Sequence, residues 1–445
     1  MRHHPTTWLY ALLLAVRAAL LFAPGYIHPD EFFQSAQPAA SLLGGASPPV
    51  WEFGAARLRS WLPPLAMSSP LWLLRRAQPH PSSAALLCAA RAVPCALSLV
   101  QDWAVLRVSA SAGLRRRRAL LLHASAWPTL TLAARPFANS LEASLLALAL
   151  GALAPALGRG ETTRRARASL GALGALGVYC RASFAAFFLP VALALLRPAA
   201  PPRAAAWRRA LDVLAGAAPT ALLAWAVDCR VYGGAPLDCL TPLNFVRYNS
   251  ETANLAAHGL HPRWTHALVN LPLLSLPLVA AAGRELCSAW RVRPSANGRG
   301  GSLPPATRRL LQRCVAWPLV GLSLVPHQEP RFLLPLMVPI VLLYGWRIRG
   351  RRAILLWITW NVAGVLVFGF LHQAGLLPAL AYLRMAAGLR THPSVLPASA
   401  SSHAFTRRTP AIAIFFHTYM PPPFLLGTDA ASSNLDLHDL KVFLS

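Results

Sequence analysis

The sequence predicts an all-α, polytopic membrane protein, and three observations predict it. Over 445 residues the chain is 55% hydrophobic and only 13% charged, where a soluble globular domain carries roughly 25% charged residues. Its mean hydropathy is +0.44. Apolar runs of about 17–25 residues, long enough to cross a bilayer as a helix, recur from end to end. No soluble block is large enough to own a core, so one integral membrane domain is expected.

The first span covers 8–24, with Arg2 at its cytoplasmic end. No small-residue cleavage site follows it; His28-Pro29 comes instead, so the span is expected to stay uncleaved. A first luminal loop, 25–83, is rich in Pro, Trp and Arg and too broken to span. It is expected to hold two interfacial amphipathic helices, one starting at Pro29 and one near Leu71 to Arg76. Further spans are expected at 84–108, 119–133, 141–157, 168–179, 184–197, 211–227, 265–282, 309–325, 332–346 and 353–371. That makes about eleven by the apolar-run criterion. A polar luminal loop fills 228–264. The segment 283–308, rich in Arg, Gly and Ser, has the composition of a flexible cytoplasmic linker. The expected organisation is a transmembrane catalytic domain over 1–371 and a luminal tail over 372–445.

The formal net charge of +27 comes almost wholly from arginine. Its distribution argues against nucleic acid, because no basic groove-forming domain with interleaved aromatics appears. The arginines come in bursts between apolar runs: Arg115–Arg118, Arg164 to Arg167, Arg203 to Arg209, Arg291 to Arg309 and Arg347 to Arg352. Every burst falls on one side of the alternation, as the positive-inside rule requires. The seven cysteines form no CxxC pair, which leaves zinc and thioredoxin readings without support. Cys229 and Cys239 share one luminal loop and could form a disulfide or remain free apolar side chains.

Acids are scarce, 15 in all, so their positions carry weight. His28-Pro29-Asp30-Glu31-Phe32-Phe33-Gln34 joins a helix-start proline to two first-turn acids. It admits two readings: a capped interfacial helix with Phe32 and Phe33 dipping into lipid, or a general base. Neighbouring helical residues do not face each other, so Asp30 and Glu31 should not act as a symmetric pair. Pro326-His327-Gln328-Glu329-Pro330-Arg331-Phe332 packs a cation, an acid and an imidazole into one turn. It is either an interfacial Glu329–Arg331 pair or a phosphate or sugar site, with Arg331 offering a fork to anionic oxygens. Arg135-Pro136-Phe137-Ala138-Asn139-Ser140-Leu141-Glu142 makes a tight polar turn. In the loop 228–264, Thr241 to Phe245, Tyr248-Asn249 and His258 to Trp264 offer residues suited to sugar hydroxyls and ring stacking. Asp102 lies well inside an apolar run, with Arg107 as its expected partner. No DxD spacing occurs, which argues against a metal-bound nucleotide donor and fits a lipid phosphate leaving group that arginines can stabilise. No metal or cofactor is expected.

These residues resemble the dolichyl-phosphate-mannose-dependent mannosyltransferases of the endoplasmic reticulum. The motifs at His28–Glu31, Arg135–Glu142 and His327–Phe332 match that family in order and spacing, over most of the chain. Thr241–Phe245, Asn254-Leu255, His258 to His266 and His417-Thr418-Tyr419-Met420-Pro421-Pro422 are similar to the branch that adds the fourth mannose of GPI precursors. The resemblance implies a GT-C architecture with a luminal active site in a multi-pass endoplasmic reticulum protein. It implies inverting transfer from dolichyl phosphate mannose to the 2-hydroxyl of the third mannose of a GPI-anchor precursor. On it, Asp30 is the expected base, assisted by Glu31. Arg331 and Arg135 would meet the departing phosphate, and His258, His261 and Arg263 would line the acceptor side. His28, Asn139, His327, Gln328 and Glu329 complete the expected substrate-binding set. The sibling activities, third-mannose GPI transfer and N-glycan mannosylation, would share the fold and the base. A lipid or solute transporter would instead show polar groups at the membrane midplane, whereas here the polar motifs collect at one face.

Overall fold

The computed structural model describes residues 5–42, 50–78, 80–159, 161–196, 203–256, 259–291, 303–388, 411–426 and 435–440. Helix α1 (Pro5–Ala19) runs into a 3-10 turn, Leu20–Phe22. The first loop folds into α2 (Asp30–Phe33), α3 (Ala36–Leu42), α4 (Leu62–Met67) and α5 (Ser69–Ala77). Then come α6 (Ser83–Ser111), α7 (Arg116–Ser125), α8 (Ala138–Arg159), α9 (Arg164–Cys180), α10 (Phe184–Leu196) and α11 (Arg203–Tyr232). The polar loop carries α12 (Thr241–Ser250) and α13 (Thr252–Ala256). After it follow α14 (Leu271–Arg291), α15 (Pro305–Ser323), α16 (Met337–Tyr344), α17 (Arg351–Val365) and α18 (Leu376–Gly388).

Every expected apolar stretch is helical, and among the described residues five helical runs are long and apolar enough to cross a membrane: Ser83–Ser111, Ala138–Leu157, Ala206–Tyr232, His266–Cys287 and Arg351–Ala386. Thr6–Phe22 and Phe184–Leu196 are shorter apolar helices. Proline explains two other short ones. α7 stops at Ser125 and helix resumes as a π turn, Pro128–Leu132. Pro330 and Pro335 hold Pro330–Leu336 in 3-10 geometry before α16, since each lacks the N–H that an α-helix needs.

The main core joins α6, α7, α8, α10, α15 and α16 through Val105, Leu122, Leu146, Phe187, Leu311 and Met337. Small residues let the helices close up, as is usual where lipid provides no hydrophobic drive. On α9, Gly171 lies against the Val213 carbonyl of α11, and Gly177 against the Phe184 ring of α10, so a Cβ at either position would collide. A second apolar cluster packs the first loop (Tyr26, Phe32, Leu71) on Leu380 and on Phe424 to Leu426 of the tail.

Several expectations change. Phe32 is fully buried against Tyr26 and Phe424 rather than in lipid, because the tail covers it. Asp102 pairs with Arg17 of α1 at 2.9 Å, while Arg107 stacks over Trp103; a helix neighbour five positions away loses to a facing helix. Cys229 and Cys239 are free thiols, and each points at backbone carbonyls of the turn between them. The tail adds α18, and the short strands β1 (Ala411–Phe416) and β2 (Leu435–Leu440) pair in parallel, so the chain is not wholly α.

Candidate active site

The site begins with the turn that starts α2. Pro29 occupies the N-cap at φ −54°, and helix starts at Asp30. The Asp30 backbone N–H donates to His28 Nδ1 at 3.1 Å. One residue on, the helical rotation turns Glu31 away. Asp30 faces a cavity of about 270 Å³, while Glu31 is sealed at 0% exposure. Glu31 accepts from Arg91 Nε at 2.8 Å and from Arg135 Nη1 at 2.9 and 3.0 Å. Arg91 also donates to the carbonyls of Leu21 and Ala23, and Arg135 to that of Gly25. Two arginines and one carboxylate thus tie the end of α1 to α6 and to the turn before α8.

The cavity joins Asp30 to the turn 326–331. Arg331 Nη1 lies 2.6 Å from Asp30 Oδ2. Its Nε and Nη2 grip Glu329 at 2.6 and 2.9 Å, a two-pronged pair. His327 Nε2 meets Glu329 Oε1 at 2.8 Å, and His28 Nε2 lies 3.7 Å from Glu329 Oε2. Gln34 donates to Asp30 at 2.6 Å and to Glu52 at 3.2 Å. Burial alone would raise the Asp30 carboxyl, but the Arg331 guanidinium, followed by His28, holds it well below the usual carboxylate range. Burial likewise opposes ionisation of Glu329, and Arg331 and His327 overcome it, so Glu329 also titrates far below its ordinary value. Burial would lower His327; the hydrogen-bonded Glu329 outweighs it and raises the imidazole.

The remaining expected residues fall into three groups. His261 and Gln328 brace the turn. His261 N–H donates to Pro326 O at 2.8 Å, and Gln328 N–H donates to His261 Nδ1 at 3.3 Å. The Gln328 side chain accepts from His266 N–H at 2.7 Å and donates to the Arg263 carbonyl at 3.4 Å. The Arg263 side chain is exposed. Asn139 is buried and donates to Glu142 at 3.0 Å. Asn139 and Arg135 do not line the cavity. His258 lies outside the described residues.

Residues that sequence reasoning passed over complete the walls. Arg59 pairs with Glu52 at 2.8 Å, and Arg181 with Glu142 at 3.3 Å while stacking over Phe332. Three arginines, 59, 181 and 331, therefore face one cavity. Trp51 adds an aromatic face beside Phe245 and Tyr248, which the loop 228–264 was expected to offer. The missed signal was charge in the wrong place: Arg59, with only Arg57 near it, and the lone Arg181 stand away from the arginine bursts, and Arg17 and Arg91 sit inside apolar runs, where charge is costly and needs a partner.

Apolar helices packed around a cavity of ionised side chains mark a membrane protein with a polar site. Residues 8–396 match the Alg9-like mannosyltransferase family, and the chain belongs to it; it is a glycosyltransferase. Curated relatives include GPI alpha-1,2-mannosyltransferase 4 of Homo sapiens, 35% identical over 96% of this chain and 77% of the relative. GPI mannosyltransferase 4 of Aspergillus oryzae is 32% identical over 97% of this chain and 80% of that protein. The Saccharomyces cerevisiae protein of the same name is 28% identical over 84% and 71%. No solved structure matches the chain.

Proposed function

We propose that the chain transfers mannose from dolichyl phosphate mannose to the 2-hydroxyl of the third mannose of a GPI-anchor precursor, with inversion. The work would be done at the luminal face of the endoplasmic reticulum membrane, by a protein of about eleven spans. The names of the relatives support the acceptor. The observation that carries the chemistry is the Asp30–Arg331 pair, 2.6 Å apart at the cavity.

Asp30 accepts the proton of the attacking hydroxyl. The hydroxyl oxygen bonds to the mannose C1, the bond from C1 to the phosphate oxygen breaks, and its electron pair leaves with dolichyl phosphate. Arg331 meets that negative charge, with Arg59 and Arg181 on the same walls. Arginine forks suit phosphate oxygens, and a carboxylate already on the fork is displaced by a better-matched anion. Phosphate binding would loosen Arg331 from Asp30 and leave the carboxylate more basic when it is needed. Glu31 and Arg135 act as positioning residues: their buried pair fixes the turn that aims Asp30. Trp51 and Tyr248 offer ring faces to the sugars, and His261 holds the turn carrying His327 and Arg331.

Complementation of cells lacking the fourth-mannose enzyme tests this, with GPI precursors resolved by mass. Wild type should add one hexose to the trimannosyl precursor, and Asp30→Asn none at equal expression. No added hexose with well-expressed wild type would move the assignment to the third-mannose or N-glycan acceptors.

A further inference from the structure

A second cavity shares no lining residue with the active site. It is a groove of about 1070 Å³ between α1, α7 and α17. The other ends of these helices lead to the active site: α1 to His28, α7 through its π turn to Arg135, and α17 to His372, which bonds the Tyr419 hydroxyl at 3.2 Å. The groove's rim is therefore at the far end of the bundle.

Its walls are apolar and open to the surroundings: Leu9, Val16, Ile358, Val362 and Leu366 line it and are exposed. Its rim is Arg115–Arg118. Among the described residues no carboxylate forms an ion pair with any of these four. Among the described residues no acid lines the groove, and none stands in the first turn of α7. Four cations at the positive end of a helix dipole repel it and one another. Burial, with Arg349 and Arg115 beside it, pulls the Arg118 guanidinium below its ordinary value. On the other side of α17 a second groove, sharing Ile348, is ringed by Arg284, Arg347, Arg349, Arg351 and Arg352, of which Arg347 pairs with Glu285 at 3.0 Å. Uncompensated positive charge thus crowns a long apolar slot, a shape and charge complementary to one molecule with an anionic head and a hydrocarbon chain.

We propose that this groove binds an anionic phospholipid, its phosphate against Arg115–Arg118 and an acyl chain along Leu9, Leu13, Val16 and Val362. The site is independent of the mannosyltransferase reading and of the membrane side on which it lies.

The test uses the full chain in phosphatidylcholine bilayers with and without phosphatidylserine, reading lipids retained by native mass spectrometry and the change in Tm. Wild type should retain phosphatidylserine selectively and gain thermal stability from it. Arg115→Gln, Arg116→Gln, Arg117→Gln and Arg118→Gln combined should weaken retention on the order of 10²–10³-fold, from about one surface-charge contribution per arginine. Val16→Trp fills the slot and keeps all four arginines; it should also reduce retention. An unchanged Tm of each variant in phosphatidylcholine alone shows that it still folds. Equal retention of phosphatidylcholine would overturn the proposal. So would the same Tm gain from inorganic phosphate, which would mark a free-anion site, or full retention by Val16→Trp, which would mark a surface patch.

Discussion

Two clusters in this molecule are built from the same parts and differ in how open they are. Asp102 pairs with Arg17 at 2.9 Å, with His123 Nδ1 at 2.7 Å and with the Tyr10 hydroxyl at 3.0 Å. Asp30 pairs with Arg331 at 2.6 Å, beside His28 and Glu329. In the first, Arg17, Asp102 and His123 are 1%, 2% and 0% exposed; in the second, Asp30 and Glu329 are 23% and 18% exposed. A sealed ion pair can only hold helices together, here α1 against α6 and α7. The same pair opened to a cavity can exchange its partner for a substrate. On the proposed reading, access rather than residue type separates structure from chemistry.

The sharpest way to break this contrast is one substitution made twice. Asp30→Asn should lower turnover at least 10²–10⁴-fold, the usual contribution of a positioned base, with Tm little changed. Asp102→Asn should leave turnover per folded molecule near wild type. Turnover of purified protein on the trimannosyl precursor, normalised to the folded fraction, decides between them. An equal loss at both positions would dissolve the distinction.

The second contrast is thermodynamic. Asp102→Leu leaves Arg17 buried without its carboxylate and should cost about 3–5 kcal/mol of stability. Adding Arg17→Met should recover most of it, because a buried pair replaced by apolar residues of similar volume is often neutral. At the cavity the corresponding pair of changes, Asp30→Leu with Arg331→Met, should restore no activity. Thermal unfolding in one bilayer composition measures the first, and turnover the second.

Much of this was legible in the sequence, and the gaps have a common cause. Apolar runs and arginine bursts are local, so the helical stretches and their order could be read directly. Asp30 and Arg331 stood out because acids are rare and each lies in a dense polar motif. That Glu31 would turn from its neighbour followed from helical geometry, but its partners did not. Arg91 and Arg135 reach it from 60 and 104 residues away. Asp102 illustrates the same limit, since Arg17 is 85 residues distant. The arginines 59 and 181 carry no motif, and only folding brings them to one cavity. The tail's contact with Phe32 was equally hidden, because nothing local predicts which apolar surface a distant segment covers.

The electrostatic link between Asp30 and Arg331 sharpens the contrast through pH. Asp30 titrates below its ordinary value of 3.8. Its ion pair therefore contributes stability above the unfolded value, and that contribution is lost as pH falls through the lower folded value. For catalysis, the acidic limb of kcat/KM, which reports the free enzyme, should lie below the carboxylate range. Arg331→Ala removes the main influence opposing burial, so the Asp30 carboxyl rises and the limb moves to higher pH, on top of a lower maximum. Glu329 loses the same guanidinium, so the shifted limb belongs to the coupled pair. A limb that stays in place would show that another group sets it.

The smallest expected effect concerns the lid-like contact between tail and site. Tyr419 lies edge-on to Tyr26, with ring centroids 5.8 Å apart, and beside His28 at 5.9 Å. Its hydroxyl meets His372 at 3.2 Å. Tyr419→Phe keeps the ring contacts and deletes one hydrogen bond, so it should cost about 0.5–1.5 kcal/mol and leave Asp30 and Arg331 in place. Tyr419→Ala removes the packing as well and should loosen His28, the residue whose Nδ1 caps the Asp30 backbone. If the tail only covers apolar surface, both variants lower Tm and leave KM unchanged. If it holds His28 in line with Asp30, Tyr419→Ala raises KM or lowers kcat where Tyr419→Phe does not. The ring contacts, rather than the hydroxyl, favour the second outcome.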